Sequence, residues 1–290
     1  MYTFKTIIYL TIFLNLSNLA AQDHEFSGLL KLNDSLMISY KVALNENDGV
    51  LEGYSVTDMG GAHETKSLVK GRYNKEANTL SFSEYGIVYT KSPVDTQDFC
   101  YVNFIGQVRD LENRIKGEFR GKFSDGGTCI NGELMLMNTE RTKELADKLD
   151  RKIKKKKKYK KYAEKGVSVK KAMDTISQSQ LKSNESLSFF SDNKSYTLIL
   201  DDAGDADGDR VTISLNGDII LRNQEIAKEP VELNIRVDEF PSTLQISALN
   251  SGSIAPNTIN IQLQDGDKLL KTLSNLEAGE HSQLIIRKPK

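Results

Sequence analysis

The stretch Ile115-Lys-Gly-Glu-Phe-Arg-Gly-Lys-Phe123 alternates apolar and polar residues as a strand does, yet twice places glycine in the apolar row. The same spacing recurs as Phe26-Ser-Gly28-Leu-Leu30, Val69-Lys-Gly71-Arg-Tyr73, Phe104-Ile-Gly106-Gln-Val108 and Ile130-Asn-Gly132-Glu-Leu134, and Leu51-Glu-Gly53 keeps its front half. Successive strand side chains point to opposite faces, so each glycine shares a face with its apolar neighbours. Glycine weakens a strand and offers nothing to pack, so its repetition on that face needs a cause. Curvature supplies one, because a sheet that coils tightly enough to close needs bare positions where its strands bend. Residues 22–138 are therefore predicted to form a small antiparallel up-and-down β-barrel. Its strands are expected at 26–32, 36–44, 49–57, 66–73, 78–84, 86–92, 99–109, 113–123 and 128–137, with no helical periodicity before residue 140.

In architecture this meander resembles the lipocalin and avidin group of small-ligand barrels over about 110 residues. The resemblance implies carriage of a small ligand inside the barrel. It rests on strand order alone: the lipocalin Gly-x-Trp motif is missing, and the chain has no tryptophan. A barrel of about eight strands is just wide enough for side chains to fill it, so a filled interior is the expectation.

The first 21 residues read as a signal peptide. Lys5 precedes an apolar run from Ile7 to Leu16, too short to span a bilayer, and Ala20 and Ala21 provide the small residues of a cleavage site. Export to an oxidising compartment makes Cys100 and Cys129, the only cysteines, a predicted structural disulfide. Closing that loop stabilises the fold by roughly 3–4 kcal/mol in the chain-entropy view.

A net charge of −1 conceals a pattern. Residues 22–138 carry −5 and residues 185–290 carry −7, while the connector between them, 139–184, carries +10. The connector begins as a helix with a narrow apolar stripe of Leu145, Leu149 and Ile153, then runs into Lys154, Lys155, Lys156, Lys157 and Lys158. Such a run is a solvated spacer or a contact for an anionic polymer at a cell surface. Two acidic flanking domains argue against nucleic acid as the partner. A second short helix is expected over Val169, Ala172, Met173 and Ile176 with Ser168 as N-cap, followed by a flexible polar linker, SQSQLKSNES.

Alternation returns after Ser195, now without glycine in the apolar rows, which predicts an open two-sheet β-sandwich of about eight strands over residues 185–290. Asn216-Gly217 and Asp265-Gly266 mark hairpins. Between the first two strands lie Asp201, Asp202, Asp205, Asp207 and Asp209. So many carboxylates repel one another unless a cation sits among them, and alternate aspartates with tight-turning glycine suit a hard, oxygen-seeking ion such as Ca2+. The loop is not an EF-hand, because Arg210 stands where that loop requires glycine and no glutamate closes it. The alternative is a solvated acidic turn with Arg210 offsetting some of the charge. With DADGDRVTISLNG and NSGSIAPNTINIQLQDGD, the block resembles C-terminal β-sandwich modules of uncharacterised secreted two-domain proteins of Gram-negative bacteria. That resemblance implies glycan adhesion or a part in export sorting and surface assembly.

In the loop Thr57-Asp-Met-Gly-Gly-Ala-His-Glu-Thr65, Asp58, His63 and Glu64 are candidate ligand contacts. A hydrolase built on them would lack a serine or cysteine nucleophile legible from the sequence. The sequence thus favours a secreted or periplasmic, non-enzymatic binding protein contacting a glycan or surface polymer through its C-terminal domain. A small-ligand carrier and a surface-assembly component stand as alternatives.

Overall fold

The computed structural model describes residues 24–32, 36–93, 95–108, 111, 113–155, 168–170, 179–204, 206–266 and 268–289. The expected signal peptide lies outside them. Eight strands form the N-terminal barrel: β1 (His24–Lys31), β2 (Met37–Asn47), β3 (Val50–Thr57), β4 (Thr65–Asn74), β5 (Thr79–Thr90), β6 (Tyr101–Gln107), β7 (Arg114–Lys122) and β8 (Thr128–Asn138). Each pairs antiparallel with the next, and β8 returns to β1 through Gly28↔Leu136, so the sheet is closed.

The bare positions are sites of close backbone approach. A Cβ at Gly53 would overlap the Ala43 carbonyl oxygen of the neighbouring strand. Gly106 and Gly117 stand directly opposite each other, and a Cβ at Gly117 would meet Ile105 O at 2.6 Å and Gly106 Cα at 2.8 Å. At Gly121 the obstacles are the disulfide and the backbone oxygen of Ile130. Cys100 and Cys129, with Cα atoms 6.0 Å apart, join the β6 and β8 sides across β7, and a Cβ on Gly121 would strike the Cys100 sulfur.

The interior is filled by side chains. Phe26, Tyr40, Leu44, Leu51, Ile115 and Leu134 are all completely inaccessible to solvent, and Phe82 stacks on Phe104 with ring centroids 5.1 Å apart. One charged group shares this core. Glu84 Oε1 accepts hydrogen bonds from Tyr40 Oη at 2.9 Å and Ser55 Oγ at 2.5 Å, and Oε2 accepts from Val102 N at 2.7 Å. The β5–β6 ladder ends at Ser83↔Asn103, and the carboxylate of Glu84 gives the next amide of β6 its acceptor.

The ladder ends there because β5 leaves the barrel. Strands expected at 78–84 and 86–92 are a single strand, bent where its pairing with β4 skips Tyr85 and again Val88. The Tyr85-Gly86 break marks a bulge, not a turn. Beyond it, Tyr89 and Thr90 pair with Phe189 and Ser188 of β10 (Ser186–Phe190).

Through that pairing the barrel sheet continues into a two-layer sandwich. Its first layer runs β13 (Asp218–Glu225), β12 (Arg210–Leu215), β15 (Ser242–Ala248), β18 (His281–Arg287), β10. The second runs β14 (Val231–Arg236), β11 (Ser195–Asp202), β16 (Asn257–Asp265), β17 (Lys268–Leu276), β9 (Gln180–Leu181). Inward rows such as Leu198, Leu200, Ile259, Ile261 and Leu263 make a core in which each is at most 1% exposed. Ten described strands replace the eight expected. Both additions, β9 and β10, pair parallel with later strands, and β9 falls inside the segment expected to be a flexible linker.

Helix α1 (Thr139–Lys155) begins on Asn138, whose Oδ1 accepts from the amides of Glu140 and Arg141. The face it buries is not the expected stripe: Ala146 is covered, while Leu145 and Leu149 are 45% and 46% exposed. Asp150 of α1 accepts from Ser168 Oγ and the amides of Val169 and Lys170, so the start of the following helix is held from α1. The remainder of the expected helix, at Ala172, Met173 and Ile176, lies outside the described residues.

Two outcomes follow for the barrel. Gly121→Ala forces β7 and the disulfide apart and should cost about 1–3 kcal/mol by overpacking, read as a lower midpoint in denaturant melts; an unchanged midpoint contradicts the packing. Burial raises the Glu84 carboxyl above its ordinary value, against the lowering by its three donors. The native state therefore holds this proton more tightly than the unfolded chain does. Glu84 should cost stability as pH rises from the unfolded value through the raised native one. Wild-type stability relative to Glu84→Gln should accordingly improve as the medium is acidified from neutral, and a pH-independent difference would contradict it.

Candidate metal centre

β11 ends on Asp202 and β12 starts at Arg210, so the loop between them lies at one end of the sandwich. It meets there the segment joining β15 to β16. Asp202, Asp207 and Asp209 each direct a carboxylate oxygen to one place, with the three oxygens within 4.8 Å of one another. Ligands on opposite sides of a Ca2+ ion, each bound at about 2.3–2.6 Å, lie at that separation, and an all-oxygen donor set suits a hard cation.

Each carboxylate is anchored through one oxygen. Asp202 Oδ1 accepts from Gly204 N at 2.7 Å, Asp207 Oδ2 from Ile254 N at 2.6 Å, and Asp209 Oδ2 from Thr258 N at 2.8 Å. Asp202 and Asp209 are only 3% and 2% exposed, and their other oxygens, Asp202 Oδ2 and Asp209 Oδ1, have no hydrogen-bond partner. A buried charged oxygen without a partner is costly unless a cation meets it. Burial raises the Asp209 carboxyl above its ordinary value; the Thr258 amide opposes this, and the charges of Asp207 and Asp202 add to the rise.

Of the five aspartates the sequence singled out, these three converge. Asp201, adjacent to Asp202 on a strand, faces the other way and accepts from Asn260 Nδ2 at 2.6 Å. Asp205 lies outside the described residues. Arg210 does not offset the loop's charge: its guanidinium turns to β13, pairing with Glu225 at 2.9 Å and with Asn223. The cation beside the cluster is Lys228, whose Nζ donates to the carbonyls of Asp202 and Gly204 and stands 3.9 Å from Asp202 Oδ1. Neither Lys228 nor the amides of Ile254 and Thr258 carried a sequence signal, since each reaches the loop across more than 20 residues of chain.

The other candidates do not converge. Asp58 accepts from His63 N at 2.9 Å and so closes its own loop. Glu64 is buried, accepting from Gly60 N at 2.6 Å and Tyr89 Oη at 3.0 Å, whereas His63 is exposed. Asp58 thus closes the turn, and Glu64 ties it to β5. Lys154 and Lys155 are exposed at the end of α1, and Lys156, Lys157 and Lys158 lie outside the described residues. Among the described residues no helix is long and apolar enough to cross a membrane. No protein-family model, curated protein or solved structure matches the chain.

The facing of the aspartates makes a discriminating pair of variants. Asp209→Asn should abolish any response of the thermal midpoint to Ca2+, while Asp201→Asn, on the opposite face, should leave that response intact. Equal loss in both would contradict the assignment.

Proposed function

We propose that the protein is an exported, non-enzymatic binding protein whose C-terminal sandwich holds Ca2+ at Asp202, Asp207 and Asp209 and contacts a glycan or other surface polymer from that end. The observation that carries this reading is the pair of buried, partnerless oxygens, Asp202 Oδ2 and Asp209 Oδ1, on two carboxylates that cluster with Asp207. An ion there would tie the loop after β11 to the 250–258 segment, which the same carboxylates already clamp through Ile254 N and Thr258 N. The exposed Ser253 and Ile254 then stand on a fixed loop beside the ion. The expected signal peptide supports this reading, because extracellular modules bind calcium with dissociation constants of about 0.1–1 mM and meet it at such levels. The carrier alternative is weakened by the side chains that occupy the barrel interior.

A thermal melt of the purified protein tests the metal. At 10 mM Ca2+ that affinity range corresponds to roughly 1.4–2.7 kcal/mol of added stability, a midpoint rise of about 3–10 °C. No rise, or a rise kept by Asp207→Asn, rejects the site. A glycan array read with Ca2+ and again with chelator tests the partner separately. Calcium-dependent binding supports the whole reading, and an empty array with an intact midpoint shift removes the glycan while keeping the ion.

A further inference from the structure

Among the described strands, every sheet edge is managed except one. The barrel has none, since it closes on itself. β10 is covered by β5. β9 is only two residues long. β13 is an edge, but its pairing with β12 slips twice, and such bulges twist an edge away from further pairing. β14 is different: all six of its residues pair in unbroken register with β11, and its other side meets no strand among those described.

Hydrogen-bond alternation identifies which groups that side presents. Val237 N donates to Lys194 O at 2.7 Å, so that pair is a hydrogen-bonded one. Counting back along the antiparallel register, Ile235, Leu233 and Val231 also bond to β11, and the N–H and C=O groups of Arg236, Asn234 and Glu232 point outward. The side chains of these three are exposed, while Ile235 is buried and Val231 and Leu233 are half-buried on the core side.

We propose that β14 pairs antiparallel with β14 of a second copy, about a twofold axis at Asn234, joining two sandwiches into one continuous sheet. Outward-facing residues must oppose one another, which puts the axis at one residue of the strand; axes at Leu233 and Ile235 set Asn234 against Glu232 and against Arg236 and make no unlike pair. An axis at Glu232 sets glutamate against glutamate, and one at Arg236 sets arginine against arginine. The axis at Asn234 sets Glu232 opposite Arg236 of the second copy, twice by symmetry, and leaves Asn234 against Asn234. Opposed unlike charges stabilise cross-strand pairs and like charges destabilise them, so the strand's own charge order selects this register. Arg236 already meets Asp238 at 3.1 Å within its chain, but that pair is open to solvent and contributes little.

The test is a charge swap read by sedimentation of the full chain over a range of concentrations. Wild type should show a monomer–dimer equilibrium that weakens with added salt. Glu232→Arg and Arg236→Glu should each lower the association constant about tenfold, since each turns two unlike pairs into like ones. The double variant E232R/R236E should restore it, because the swap keeps unlike charges opposed. Melting curves taken dilute enough for wild type to be monomeric should be unchanged in the variants, as both positions are exposed. A wild type that stays monomeric into the high micromolar range overturns the proposal and leaves the edge to a strand from another protein. So does a dimer indifferent to the single swaps, or one that the double swap fails to restore.

Discussion

One strand, β5, belongs to both halves of the molecule, and much of the architecture depends on that sharing. Its first residues complete the barrel against β6, and its last ones pair with β10 at the edge of the sandwich. The two skipped residues, Tyr85 and Val88, bend it between these duties. Leaving β6 early would strand the Val102 amide in the core, and the adjacent Glu84 carboxylate accepts from it. A backbone constraint thus accounts for the Glu84 carboxyl embedded among the aromatic residues of the barrel.

Glu84 and the aspartates of the sandwich loop show two ways of meeting the cost of a buried carboxylate. Glu84 has donors on both oxygens, all supplied by the chain, and its raised pKa follows from burial. Asp202 and Asp209 have donors on one oxygen each, and the other is bare. Lys228 approaches only the oxygen of Asp202 that is already bonded, at 3.9 Å, so it does not close the deficit. The first arrangement is complete without a ligand, while the second leaves two buried oxygens unmatched. That contrast separates a carboxylate whose donors the chain supplies from two whose donors it does not.

Much of this was legible in the residues themselves. The glycine spacing pointed to closure, and those glycines lie where neighbouring backbones come closest. The cysteine pair and the hairpin at Asn216-Gly217, with both residues at positive φ, follow from local chemistry. What was not legible depended on contacts between distant segments. The Tyr85-Gly86 interruption reads equally well as a turn or a bulge until β10 is placed beside it. β9 and β10 are short, and each gains its pairing from distant strands, β17 for β9 and β18 and β5 for β10. Within the acidic loop, composition marked five aspartates, but only the end of β11 decides that Asp202 faces inward and Asp201 outward. The stripe of Leu145 and Leu149 misled because both stay largely open to solvent, and α1 buries Ala146 instead.

The central claim is that the loop end of the sandwich is an incomplete coordination shell. Equilibrium dialysis of the intact protein against radioactive calcium, across the millimolar range, addresses it most directly. The account predicts saturation at one ion per chain, with none retained when Asp202 is replaced by asparagine. Failure to retain calcium at any concentration, or uptake at full stoichiometry by the Asp202→Asn protein, would contradict it.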